Sequence, residues 1–413
     1  MEELFKVINL SNKNKIGNLK VEAHSQVKST KYFPIYMING KKMIFKPLSR
    51  TKPMTTPLFA YSEVYWSYII QKYFDSRAPR YYLAVSSEIE KEQPKYYDIG
   101  VLVESITPNG EELVSIYDYF CKYPEDSFSI EGYINYCMIN YYYDDILLSD
   151  FIKNNHEIGE GLSLQILLAM LRQDQNFHYE NVNLMDEEGK LIIGPPIDFE
   201  FSMPFLYPED SEKSREEQWG YLSKLAVRYD EDEPNKLIRK FLKLKSSPLK
   251  TNISCIVKLY PHVIVDFIKR LEILIKDIPD IKISDPDNYI RALNSNYWEV
   301  GYAYFKENDL EKYEKLKQRF ILQEIDKVST FERISSDILM DAKYLCLYLK
   351  IYLFAYYEGI ENLEELTIKE LLTKLNIYED VMIEDIDIDA RSLKLRKVHN
   401  KKFNYDYNGR KIL

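Results

Sequence analysis

Lys46 ends the run Met43-Ile44-Phe45-Lys46, just after an Asn39-Gly40 pair. A lysine at the end of a strand, pointing into a cleft, pairs with nucleotide phosphates. Glu63 opens the next helical segment, where a carboxylate can hold such a lysine in position. Far downstream, Asn181 starts a short apolar run after a polar loop, and Asp198 follows a second run in Ile197-Asp198-Phe199-Glu200. An asparagine and an aspartate on adjacent strands joined by a tight turn offer hard oxygen ligands. Such ligands suit a magnesium ion bridging phosphates. Singly, each has a plain structural explanation. Lys46 reads as a surface lysine, Glu63 as a carboxylate favoured by a helix N-terminus, Asn181 as a turn cap and Asp198 as a helix start. Their order along the chain carries the reading.

Those four residues need a strand-rich region followed by a helical one. Residues 24–36, 42–47, 81–85 and 97–106 are β-rich, and Asn39-Gly40 marks a hairpin between the first two. A helix is expected over 60–74, with Glu63 in its first turn. Tyr61, Tyr65, Tyr68 and Ile69 form its inward stripe, and Pro57 lies just before it. After Thr107-Pro108-Asn109-Gly110, helical segments dominate, as at 130–142 and 162–171. Two short strands, 182–185 and 191–193, interrupt them, joined by a turn at 186–189. From about 237 onward helices prevail again. Residues 344–357 read as a buried helix despite Lys350, the acidic run 361–365 as a solvated face, and Asn408-Gly409 as a terminal hairpin. The expected division is a β-rich lobe (1–108), a helical core with the catalytic and metal loops (109–236), and a helical continuation (237–413).

Composition narrows the classes. The chain has 413 residues, 46% hydrophobic and 29% charged, a globular balance. No apolar run approaches the roughly 20 residues of a membrane span, so no membrane partner is expected. The start Met1-Glu2-Glu3-Leu4-Phe5 lacks a signal peptide's basic and apolar regions. The expected location is the cytoplasm, and export as an effector by a dedicated system is compatible with the same sequence. A net charge of −10 argues against nucleic acid as the main partner. The four cysteines, Cys121, Cys137, Cys255 and Cys346, have no metal-ligand spacing and read as reduced structural thiols.

Motif order then resembles the HipA-type serine/threonine kinases. That family carries a Gly-x-Gln-x-Lys nucleotide loop, and this chain has His24-Ser25-Gln26-Val27-Lys28. The family's helix opens with a glutamate, as at Ser62-Glu63, and a proline-containing link follows, as at Ala78-Pro79-Arg80-Tyr81. Its Asp-x-His-x-x-Asn stretch is similar to Asp174-Gln175-Asn176-Phe177-His178-Tyr179-Glu180-Asn181. Its Ala-Pro-x-x-Asp stretch is similar to Gly194-Pro195-Pro196-Ile197-Asp198. The resemblance covers about 21–205. It implies an α+β, two-lobed protein-kinase-like fold, with ATP and Mg2+ as cofactors. In it, Ser25, Gln26, Lys28, Lys46 and Glu63 bind nucleotide, and Asn181 and Asp198 hold the metal. Residues 101–105, including Glu104, form the adenine hinge.

Two departures bear on the chemistry. His24 replaces the loop glycine. The position the family gives its catalytic aspartate holds Asn176, with Asp174 two residues earlier. Asp174 is therefore the expected base if the loop carries an insertion, His178 is a base by its pKa, and Asn176 can orient a hydroxyl. The resemblance implies transfer of the γ-phosphate to a protein Ser/Thr hydroxyl, within toxin–antitoxin or stress physiology, with an antitoxin or regulatory partner. Two other readings stay open. One is a pseudokinase acting as a scaffold, and the other is a kinase-fold enzyme that modifies a small molecule.

Overall fold

The structure is a computed structural model. It describes residues 7–23, 29–47, 57–86, 99–106, 114–116, 156–172, 174, 181–187, 189–199, 202, 248–281, 310–311, 314, 327–363, 365–366, 368–375, 386–387 and 394–395. The chain gathers into two compact units. One comprises Met1–Glu112, Ile197–Phe201 and Ile281–Ile334; the other comprises Leu113–Pro196, Ser202–Asp280 and Ser335–Leu413. The fold is α+β, with a sheet-rich N-terminal region and a mainly helical remainder.

The first unit is built on a six-stranded sheet in the order β1-β5-β6-β4-β3-β2. Its strands are β1 Val7–Asn9, β2 Asn14–Ala23, β3 Ser29–Ile38, β4 Lys41–Pro47, β5 Tyr81–Val85 and β6 Ile99–Glu104. Asn39 and Gly40 have φ of 52° and 77°, the left-handed pair that closes the two-residue β3–β4 hairpin. Pro34 pairs with Asn18 of β2, and the β3–β4 ladder begins one residue later at Ile35↔Ile44. The proline thus sits where it withholds no N–H from β4. β1 runs parallel to β5 at the far edge. It was not expected, because its three residues are too short for alternation to register.

Leu10, Tyr36, Met43, Phe45, Ala84 and Leu102 form one buried cluster of this unit. α1, Pro57–Tyr73, packs against β5 and β6. It begins at Pro57, ahead of the expected start, because proline's fixed φ suits the first helical position and its missing N–H is one the helix cannot use. Glu63 accordingly lies in the second turn, not the first. The expected stripe is also too narrow. Tyr61, Tyr65 and Ile69 are buried, but so are Ser62, Glu63, Val64, Trp66 and Ser67, while Tyr68 is half-buried. A helix enclosed on nearly every side carries apolar residues all round.

The second unit holds α2, His156–Arg172, and a small antiparallel sheet in the order β7-β8-β9. Its strands are β7 Val114–Ser115, β8 Asn183–Glu187 and β9 Lys190–Ile193. The expected 186–189 turn is present, with Gly189 at φ 84° and its N–H donated to Asp186 Oδ1 at 2.7 Å. α2 packs on β9. Gly161 permits that approach, since a Cβ there would lie 2.7 Å from the Ile193 Cβ. Helices α3 Pro248–Leu259, α4 Pro261–Asp277, α5 Lys327–Tyr357 and α6 Ile368–Lys374 follow.

The expected buried segment 344–357 is the end of α5. Its Lys350 is tolerated because the ammonium donates to Glu272 Oε1 of α4 at 2.7 Å, with side-chain exposures of 2% and 5%. Glu361 and Glu365 are exposed around a buried Leu363, as a solvated face requires. Cys346 is a buried thiol outside any disulfide whose pKa burial pushes up to about 12, so it stays protonated, and Cys255 is likewise not disulfide-bonded. Among the described residues, no helix is long and apolar enough to cross a membrane. Cys121, Cys137, the 130–142 helix and the 408–409 hairpin lie outside the described residues.

Candidate functional site

The site builds from β4 outward. Side chains alternate along a strand, so Phe45 enters the buried cluster and Lys46 points to the opposite face. There the Lys46 ammonium donates to Glu63 Oε1 of α1 at 2.7 Å and also to Asp198 Oδ1. Glu63 is 2% exposed, whereas Lys46 and Asp198 retain 25% and 26%. The anchor is therefore enclosed, and the two groups it positions stay reachable.

Glu63 does more than hold the lysine. Its second oxygen accepts the Phe199 N–H at 2.8 Å. Ser62, its neighbour, donates to the Phe199 carbonyl at 2.6 Å. Tyr81 accepts the Asp198 N–H at 3.3 Å and lays its ring against Phe199, with centroids 5.5 Å apart. Burial, and secondarily the Glu63 carboxylate, raises the Tyr81 hydroxyl well above the ordinary tyrosine range, so it stays protonated. Asp198 has φ of 61°, a left-handed conformation rare for a residue with a side chain. Strained backbone of this kind persists where surrounding structure holds it, and it clusters at functional sites.

Gly100 allows β6 to close on β4 beside the lysine. A Cβ there would lie 2.2 Å from the Lys46 carbonyl oxygen and 2.8 Å from the Pro47 Cα, both rigid backbone. Gly100→Ala is expected to lower stability by about 1–3 kcal/mol, the scale of overpacking. Thermal unfolding beside wild type measures it, and an unchanged melting temperature would show that the strands part at no cost.

Glu104 needs a correction. Its N–H donates to the Arg80 carbonyl at 3.1 Å, and the Ser105 N–H donates to the Lys42 carbonyl at 2.9 Å. The Glu104 carboxylate pairs with Lys41, holding that ammonium above the ordinary lysine range. β6 lies between β5 and β4, so the sheet consumes the amides that a hinge at 104 or 105 would offer to adenine.

Asp174 and Asn181 belong to the second unit. Asn181 is half-buried just before β8. Asp174 is buried. Its N–H donates to the Ala169 carbonyl at 3.0 Å, it bridges to Ser202, and its Oδ2 accepts from Arg172 Nη2 at 2.6 Å. The side-chain exposures of that pair are 2% for Arg172 and 4% for Asp174. Arg172, two residues earlier, is thus the partner of Asp174, and the pair is buried. Asn176, His178, Ser25, Gln26 and Lys28 lie outside the described residues. Ser62 and Tyr81 were not foreseen as site residues. The available signal was a polar Ser62-Glu63 pair within the apolar first half of the helix.

No protein-family model matches the chain, and no curated protein matches it. Among solved structures the chain is similar to that of CtkA, described as a Helicobacter pylori proinflammatory kinase. The match has 12% identity, covers 81% of this chain and 98% of that chain, and has a TM-score of 0.39.

Proposed function

We propose that this chain is an ATP- and magnesium-dependent phosphotransferase of the protein-kinase kind. The observation that carries the reading is the Lys46 ammonium, held between an enclosed Glu63 and an accessible Asp198. Residues 152 positions apart meet there. In this reading Lys46 pairs with the phosphates and Glu63 keeps it extended toward them. The donor chemistry suits magnesium, which needs only one or two protein carboxylates and takes its other ligands from phosphate and water. Asp198 would hold it, and the motif order gives Asn181 the same role. When bound, the metal neutralises charge on the phosphate oxygens.

The motif order supports a Ser/Thr hydroxyl of a protein as acceptor and a HipA-like toxin or stress role with an antitoxin partner. A second reading, a nucleotide-binding pseudokinase, draws on Asp174. A base must come within hydrogen-bond reach of its hydroxyl, and this carboxylate is buried against Arg172. Asn176 and His178 are the other residues available to that step. Transfer of labelled phosphate to protein acceptors, to small hydroxyl compounds and to the chain itself separates the readings.

The metal role has its own test. Asp198→Asn is expected to abolish the magnesium-dependent part of ATP affinity, while Asn181→Ala reduces it less, because a carboxylate brings a full charge and an amide only a dipole. Calorimetric titration of ATP with and without magnesium reads this. Equal, metal-independent affinity in wild type and Asp198→Asn would reject the assignment.

A further inference from the structure

We propose that Ser62 is a positioning residue that, with Tyr81, fixes the left-handed turn at Asp198 and thereby couples α1 to the metal-binding carboxylate. Its functional consequence rests on the phosphotransferase reading above; its structural content does not. The Phe199 peptide is gripped at both ends by consecutive residues of one helix. Ser62 Oγ holds the carbonyl at 2.6 Å, and Glu63 Oε2 holds the N–H at 2.8 Å. Just upstream, Tyr81 Oη takes the Asp198 N–H at 3.3 Å. Ser62 and Phe199 are both fully buried, so water cannot replace these bonds at no cost.

Serine inside a helix ordinarily returns its hydroxyl to a carbonyl of its own helix, as Ser163 does to Gly159 at 2.7 Å and Ser67 does to Val64 at 3.0 Å. Ser62 instead spends its proton across 137 positions of sequence. Asp198, at φ 61°, holds a left-handed backbone that such restraint maintains. With the carbonyl and amide of the next residue fixed, the Asp198 side chain is aimed at Lys46 by backbone held from the same helix that holds Lys46. A shift of α1 therefore moves the lysine anchor and the aspartate together.

The test uses the full chain with Ser62→Ala and, as a second variant, Tyr81→Phe, which keeps the ring against Phe199 and removes only the acceptor. Amide hydrogen exchange at 198–199 is read first, without nucleotide, beside thermal unfolding. Exchange at Phe199 is expected to quicken about tenfold in Ser62→Ala, and exchange at Asp198 similarly in Tyr81→Phe, with amides of α2 and α4 unchanged. ATP affinity is read second. The gain in affinity that magnesium confers is expected to fall about tenfold in Ser62→Ala, with metal-free affinity unchanged.

Wild-type exchange at Phe199 in a folded Ser62→Ala overturns the proposal. So does quickening spread evenly over α2 and α4, which marks a general loss of stability. Should Ser62→Ala fail to fold, Tyr81→Phe decides by the same readings at Asp198. Local quickening with no ATP binding by wild type would sustain the clamp and reject the phosphotransferase reading, so the two fail separately.

Discussion

Lys46→Met is expected to eliminate phosphoryl transfer and to destabilise the fold as well, and Lys46→Met/Glu63→Gln to regain the stability without the activity. A lysine that only lined a cleft would be removable at little structural cost. Lys46 also neutralises an enclosed carboxylate. Glu63 is 2% exposed and has Lys46 as its counter-cation at 2.7 Å. Deleting the lysine leaves an enclosed carboxylate beside Asp198, with the Phe199 N–H still bonded to it. Breaking a buried pair in this way costs roughly 3–5 kcal/mol. The partial exposure of Lys46 and the surviving N–H bond put this case at the low end, about 3 kcal/mol. Glutamine at 63 removes the stranded charge and retains an oxygen for the Phe199 N–H. Loss of a charged group that stabilises the transferring phosphate is worth about 100-fold or more in turnover. Denaturant unfolding and phosphate transfer are measured on all three proteins. A single mutant as stable as wild type would place Glu63 in contact with water, and a double mutant that regains activity would remove Lys46 from the chemistry.

Asp174→Ala is expected to act on stability before it acts on catalysis. Its carboxylate and the Arg172 guanidinium are both nearly inaccessible and 2.6 Å apart. Removing either one takes a buried counter-charge from the other, at roughly 3–5 kcal/mol. For a unit of this size that corresponds to a drop of about 10 °C in melting temperature. Arg172→Ala should cost a similar amount, and the double variant much less than the sum, as interacting neighbours do. Thermal unfolding of the four-member cycle measures this. Additive losses would dismiss the pair. If Asp174→Ala melts with wild type and turnover falls about 100-fold, Asp174 is a base after all.

Much of the local structure was legible. Asn39-Gly40 dictated a hairpin because only left-handed residues close a two-residue turn. Residues 81–85 read as a strand and are β5, and the β8–β9 turn showed in Asp186 and Gly189. What escaped was short or enclosed. β1 has three residues, and α1 is buried on nearly all sides, so periodicity understated both its length and its burial. Residues 101–105 were read as a hinge because a strand pattern does not reveal that both its edges are occupied, as those of β6 are.

The candidate site divides along the same line. Residue type and order alone singled out Lys46, Glu63 and Asp198, because a lysine ending a strand, a glutamate in the next helix and an aspartate after a second hairpin carry their chemistry locally. The same lettering described Asp174 equally well, yet one carboxylate keeps a quarter of its surface and the other is sealed against Arg172. Desolvation makes that difference, and its size depends on the atoms packed around a charge, not on the charge itself. Likewise Ser62 is an ordinary helical serine until folding brings Phe199 to it. Sequence determined which groups could do chemistry and the elements that carry them. Tertiary structure alone decided which stay exposed, because burial and long-range hydrogen bonds arise only when distant segments meet.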